Sequence, residues 1–210
     1  VLGTDKRIDI DNVAITGWSL GGGVALFSAW DPLIASIGIK ERFKAHLAFY
    51  PPCLVEMDLI EFSKVPIHIL IGEKDDWVTA SACEDLVRDL SGNSVDIGIT
   101  VYANAHHGFD RKGLPVKEEN GYATGNCHFK MRSDGALLMN FLDIPMITPF
   151  RQKVALGWCA DRGTTIGGNP EARVKSFDFA RNFMIRNLLQ DFLPRLNKYY
   201  FRNLDKCFYF

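Results

Sequence analysis

Three short stretches of this chain carry side chains that can perform nucleophilic chemistry together. Gly17-Trp18-Ser19-Leu20-Gly21 sets a serine between glycines in the spacing G-x-S-x-G, which permits a strained turn that lifts the hydroxyl clear of the backbone. A serine hydroxyl attacks a carbonyl effectively only when a base takes its proton, and imidazole is the side chain best matched to that task near neutral pH. Ala105-His106-His107-Gly108-Phe109 offers the base. Gly72-Glu73-Lys74-Asp75-Asp76-Trp77-Val78 offers a carboxylate to orient the imidazole and stabilise its cation. Asp75 is the first choice there and Asp76 its competitor, against a reading in which both are solvated turn residues.

At average glycine and serine frequencies, G-x-S-x-G turns up in roughly one chain in twenty of this length, so its surroundings decide. Asn12-Val13-Ala14-Ile15-Thr16 is a short apolar run ending at Gly17, the signature of a buried parallel strand. From Leu20 to Trp30 small and apolar residues, including Val24, Ala25, Leu26 and Ala29, run unbroken to Asp31-Pro32 and predict a buried helix. Strand, tight turn and helix is the setting the serine motif requires. The helix start also presents backbone N–H groups and positive dipole, which makes the Leu20 N–H a candidate oxyanion donor. Trp18 and Trp77, beside the serine and the aspartates, are candidate substrate-binding residues.

The aspartate and histidine stretches follow strands as well. Ala45–Tyr50 predicts a second strand, stopped by Pro51-Pro52. Pro66–Ile71 predicts a third that ends at Gly72, followed by helical spacing from Thr79 to Leu90 with Gly92 as a stop. Val95–Tyr102 is the fourth. This alternation predicts an α/β fold: a mostly parallel sheet joined by right-handed crossovers, with helices on both faces. Each candidate catalytic residue then lies just beyond a strand's carboxyl end, where open α/β sheets place their ligands. The chain order Ser, Asp, His is that of α/β-hydrolases. His46 and His68, inside apolar strands, read as hydrogen-bonded core residues, and His128 as an ordinary polar loop residue.

From Arg111 to about Asn169 the pattern turns loop-like, with Gly113, Pro115, Gly121, Gly125 and Thr164-Thr165-Ile166-Gly167-Gly168; this 111–169 segment is a candidate cover for the site. Glu171–Leu189 resumes helical spacing, with Asn169 as cap and Pro170 in the first turn. Residues 190–210 are basic and aromatic, and packing, partner contact and disorder are all open readings for them.

Composition narrows the function classes. Hydrophobic residues make up 47% and charged residues 23% of the 210, the balance of a folded globular protein. The net charge is −1 and the cations are scattered, so the field that draws proteins onto nucleic acid is lacking. No apolar run reaches the length of a membrane span. The five cysteines show no zinc-type spacing, and the chemistry above needs no metal or organic cofactor. Cys53 and Cys83 fall near strand ends and can bridge over the sheet; Cys127 and Cys159 can pair likewise, leaving Cys207 odd. Two readings stay open: bridged cysteines in a periplasmic or secreted protein, or free buried thiols in a cytoplasmic one.

Through Gly17-Trp18-Ser19-Leu20-Gly21-Gly22, Gly72–Val78 and Ala105–Phe109, the chain from about Asp5 to Asp110 resembles the dienelactone hydrolase family. The resemblance implies hydrolysis of small esters or lactones through an acyl-enzyme, with Ser19, Asp75 and His107 as the triad. The founding members use cysteine as nucleophile; Ser19 places the chain with a serine-bearing branch, for which carboxylic esters are the expected substrates. In that family several strands and the loop carrying a second oxyanion donor precede the nucleophile strand. Here that strand begins near residue 12, so residues 1–189 read as the C-terminal part of an α/β-hydrolase domain. The rival readings are a peptidase similar to prolyl oligopeptidase, which uses the same fold and triad order, and a non-catalytic or truncated module.

Overall fold

The computed structural model describes residues 2–139 and 141–189. After two single turns of 3-10 helix, the first apolar run becomes β1 (Ala14–Trp18), and α1 (Leu20–Phe27) follows directly on Ser19. The strand runs two residues further than the sequence predicts, because parallel pairing with β2 (Ala45–Phe49) continues through Gly17↔Ala48 and Trp18↔Phe49. The expected Leu20–Trp30 helix stops at Phe27: the Ser28 hydroxyl donates to the Ala25 carbonyl, a local bond that competes with helix continuation. Asp31-Pro32 then opens a separate short helix, α2 (Asp31–Ser36).

Beyond β2 come a three-residue strand that sequence reading did not foresee, β3 (Val55–Met57), then β4 (Ile67–Gly72), α3 (Ala80–Gly92) and β5 (Ile97–Tyr102). Four strands form the main sheet in the order β1-β2-β4-β5, every pair parallel. The register sets Leu47 opposite His68 and His46 opposite Ile67, so His46 and His68 point to opposite faces. His46 reaches α1 through the Ala25 carbonyl. His68 packs on Phe179 and Phe183 of the last long helix, so helices cover both faces. Ile69, Leu70, Ile71, Leu47 and Phe49 lie wholly or almost wholly buried between them.

The 111–169 segment is more ordered than its sequence predicts. It holds β6 (Val116–Ala123), β7 (Phe129–Met131), β8 (Leu137–Leu138), α4 (Pro149–Cys159) and β9 (Asp161–Ile166). β6 pairs antiparallel with β9 from forty residues away, and β7 pairs with both β3 and β8. β6 reads Lys117-Glu118-Glu119-Asn120 through its middle, all exposed, so no apolar alternation marks it. A second small core, around Phe129, Met139 and Ala155 of this segment, also takes in Leu54 from beyond β2. α5 (Pro170–Leu188) is the predicted last helix, with the Asn169 side chain accepting from the Ala172 N–H.

Both cysteine pairs are bridged: Cys53 to Cys83, and Cys127 to Cys159. Cys207 and the aromatic, basic 190–210 stretch lie outside the described residues. Among the described residues no helix is long and apolar enough to cross a membrane.

Candidate active site

Ser19 stands at φ 53°, ψ −118° between β1 and α1, a strained conformation of the kind that persists where the surroundings over-determine it. Here two glycines supply that constraint. A Cβ on Gly17 would lie 2.0 Å from the Gly21 carbonyl oxygen, and one on Gly22 would lie 2.5 Å from the Phe49 carbonyl oxygen. Only glycine lets the turn fold back this tightly and the helix sit this close to β2. Leu20 is the first residue of α1, so its N–H has no acceptor within the helix.

The aspartate turn and the histidine loop are joined by main-chain bonds: Glu73 N–H to Tyr102 O at 2.9 Å and Lys74 N–H to Ala105 O at 2.8 Å. The Glu73 carboxylate accepts from Asn104 N–H. Within this frame the two histidines separate. His106 Nδ1–H donates to the Lys74 carbonyl and is thereby held off the serine. His107, nine-tenths and more buried, donates Nδ1–H to Asp75 Oδ2 at 2.8 Å and places Nε2 2.9 Å from Ser19 Oγ. With Nδ1 protonated against the carboxylate, Nε2 of a neutral imidazole is the acceptor, and the serine hydroxyl donates to it.

The two aspartates also separate. Asp75 is buried, and its Oδ1 accepts the Trp77 and Val78 N–H groups at 3.0 and 3.1 Å. Three donors therefore fix the carboxylate. Asp76 points away and accepts the Thr165 N–H on both oxygens, at 2.8 and 3.1 Å, which ties β9 to the site. The Ile166 backbone in turn bridges to His107, and Gly167 N–H donates to the His107 carbonyl.

Two aromatic rings flank His107. Trp77 stacks on it with centroids 5.2 Å apart, and Tyr50 meets it edge-on at 4.5 Å. Tyr50 was not among the residues expected from sequence. Its position just beyond β2, at the same rim as Ser19, was the available signal. It adopts φ 37° and donates its hydroxyl to Asp110; burial first and the Asp110 bond second push its phenol well above the ordinary value. His46, whose Nδ1–H donates to Ala25 O, and His68, bonded to Thr100 Oγ1, lie away from the site. His128 is exposed and not part of it.

Ser19 and His107 open on a cavity of about 690 Å³. Leu20 and Trp77 line it, whereas Trp18 does not: its ring stacks on Phe49 instead. α1 contributes Gly23, Val24 and Phe27 to the wall. The 111–169 segment contributes Tyr122, Phe129, Met131, Leu137 and Leu156.

The profile of the dienelactone hydrolase family matches residues 1–130. The chain belongs to that family. Among family relatives, a protein of Aquifex aeolicus (strain VF5) provisionally named a carboxymethylenebutenolidase is 32% identical over 111 residues. Protein usf of Aquifex pyrophilus is 29% identical over 111 residues. Each match takes in 52% of this chain and 43% of the relative, so the chain spans under half the length of the curated relatives it matches. Of the solved structures, MGS-M1, an α/β hydrolase from a Medee basin deep-sea metagenome library, is 19% identical. It superposes over 87% of this chain and 57% of its own length, with a TM-score of 0.45.

Proposed function

We propose that this family member is a serine hydrolase of carboxylic esters or lactones, working through an acyl-enzyme. The observation that carries this reading is the bonded path from Asp75 through His107 to Ser19, at 2.8 and 2.9 Å, opening on a cavity of about 690 Å³. As Ser19 Oγ attacks the carbonyl carbon, His107 Nε2 takes its proton and Asp75 stabilises the resulting imidazolium. The carbonyl π electrons move onto oxygen, facing the Leu20 N–H at the start of α1. Collapse of the tetrahedral species expels the alcohol, which leaves with the proton returned by Nε2. Water then repeats the sequence on the acyl-serine, releasing the acid and restoring Ser19.

The 111–169 segment serves in this reading as the cover of the site, since Tyr122, Phe129 and Leu156 form part of the cavity wall. The decisive experiment is labelling by a fluorophosphonate probe with a peptide map, beside a panel of p-nitrophenyl esters and aminoacyl-proline amides. The expected result is covalent modification at Ser19 and turnover of the esters. Absence of labelling, or turnover confined to the amides, overturns the assignment.

A further inference from the structure

The cavity that Ser19 and His107 share is poor in charge. Among the described residues no lysine, arginine, aspartate or glutamate lines it. Its wall is built largely from hydrocarbon side chains such as Val24, Leu33, Leu54, Met131 and Leu137. Most of the polar groups that do reach it already have partners. The imidazole is committed to Asp75 and Ser19. The Gln152 amide donates to Met146 O, and the Thr124 hydroxyl donates to Trp77 O. What remains among the described residues is neutral: the Tyr122 phenol.

A carboxylate moved into such a space loses its water and gains no cation, which is strongly unfavourable. A hydrocarbon group, by contrast, gains about three- to fourfold in affinity for each methylene it buries. The volume is also within the range that encloses most of a drug-sized ligand. Arg162 stands against one lining residue, its guanidinium 3.6 Å over the Tyr122 ring. It is exposed and donates to the Asn120 carbonyl.

We infer that this site takes neutral esters or lactones carrying a large hydrocarbon group and turns away substrates that bear a carboxylate of their own. The inference rests on the hydrolase reading above and narrows its substrate class. Two matched esters test it with the full chain: p-nitrophenyl octanoate and p-nitrophenyl hemisuberate, which differ in a terminal methyl against a terminal carboxylate, with p-nitrophenyl acetate as the short reference. Octanoate should exceed acetate in kcat/KM by tenfold or more and exceed hemisuberate by fiftyfold or more. Binding of the same two long esters to Ser19→Ala, followed by quenching of tryptophan fluorescence, should show the same order. Leu137→Lys, which sets a cation at a partly exposed wall position, should cut the octanoate-to-hemisuberate ratio at least tenfold.

Hemisuberate turned over or bound within threefold of octanoate overturns the inference, with Arg162 then the candidate counter-ion, and leaves the hydrolase reading intact. If no ester is hydrolysed, the hydrolase reading fails instead, and the binding ratio of the two long esters still decides the character of the cavity.

Discussion

Neighbouring residues of the same type take different duties here, because each is held by a different partner. Asp75 receives His107 and two main-chain N–H groups, whereas Asp76 receives Thr165. Asp75→Asn should therefore lower kcat by roughly 10³-fold or more, through the wrong imidazole tautomer. Asp76→Asn should lower it tenfold or less while destabilising the fold by about 1–3 kcal/mol, through the weakened hold on Thr165. Steady-state kinetics and urea unfolding on both variants check the pair; equal losses of kcat would refute the separation. Ser19→Ala should lower ester hydrolysis by roughly 10³-fold or more with little change in stability. The sequence narrowed the acid to two residues and the base to a pair. The residues put Asp75 first and the family resemblance added His107, while the bonds that hold Asp76 to Thr165 and His106 to Lys74 are encoded by no local pattern.

At the scale of elements, the elbow and the sheet histidines set the terms. Gly22 sits against the Phe49 carbonyl, so Gly22→Ala must push α1 off β2. A loss of about 1–3 kcal/mol is expected, readable as a lower Tm, together with reduced activity because Ser19 caps α1 and Leu20 opens it. Burial holds His68 at about 4 and also keeps His46 below the ordinary imidazole value. Between pH 6.5 and about 4 the unfolded chain therefore binds protons that the folded chain refuses. Stability present above pH 6.5 is lost as the pH falls through that window. Allowing for the partial exposure of His68, its share is about 2 kcal/mol. Urea midpoints at pH 7.0 and 4.5 should draw closer together in His68→Gln, which can keep a bond to Thr100; an unchanged gap would assign the acid sensitivity elsewhere. The four parallel strands were legible as apolar runs, most plainly the buried β2 and β4. β3, β6 and β9 were not, since their pairing partners are distant and β6 is exposed and charged.

For the whole molecule, the two bridges reinforce parts that already pack in hydrophobic cores. Cys53–Cys83 ties the end of β2 to α3, and Cys127–Cys159 ties α4 to the loop before β7. Loops of about thirty residues closed in this way give about 2–4 kcal/mol each. Native protein should present no reactive thiol from these four cysteines, and Cys127→Ser/Cys159→Ser should lower the Tm and loosen the cavity wall. Four reactive thiols under denaturing, non-reducing conditions would refute the bridges.

What the sequence determined by itself was what is local: the strand, turn and helix around Ser19, the capped last helix, the apolar parallel strands, and a Ser, Asp, His order visible as three motifs. Those signals survive in one dimension because sterics at glycine and side-chain periodicity act over a few residues. The tertiary structure decided what depends on approach across distance. It chose which aspartate faces the imidazole, brought Tyr50 and Trp77 against His107, and paired β6 with β9. It also gave the cavity a wall built, among the described residues, largely of hydrocarbon side chains, because burial and partner choice are set by chain segments that meet only on folding.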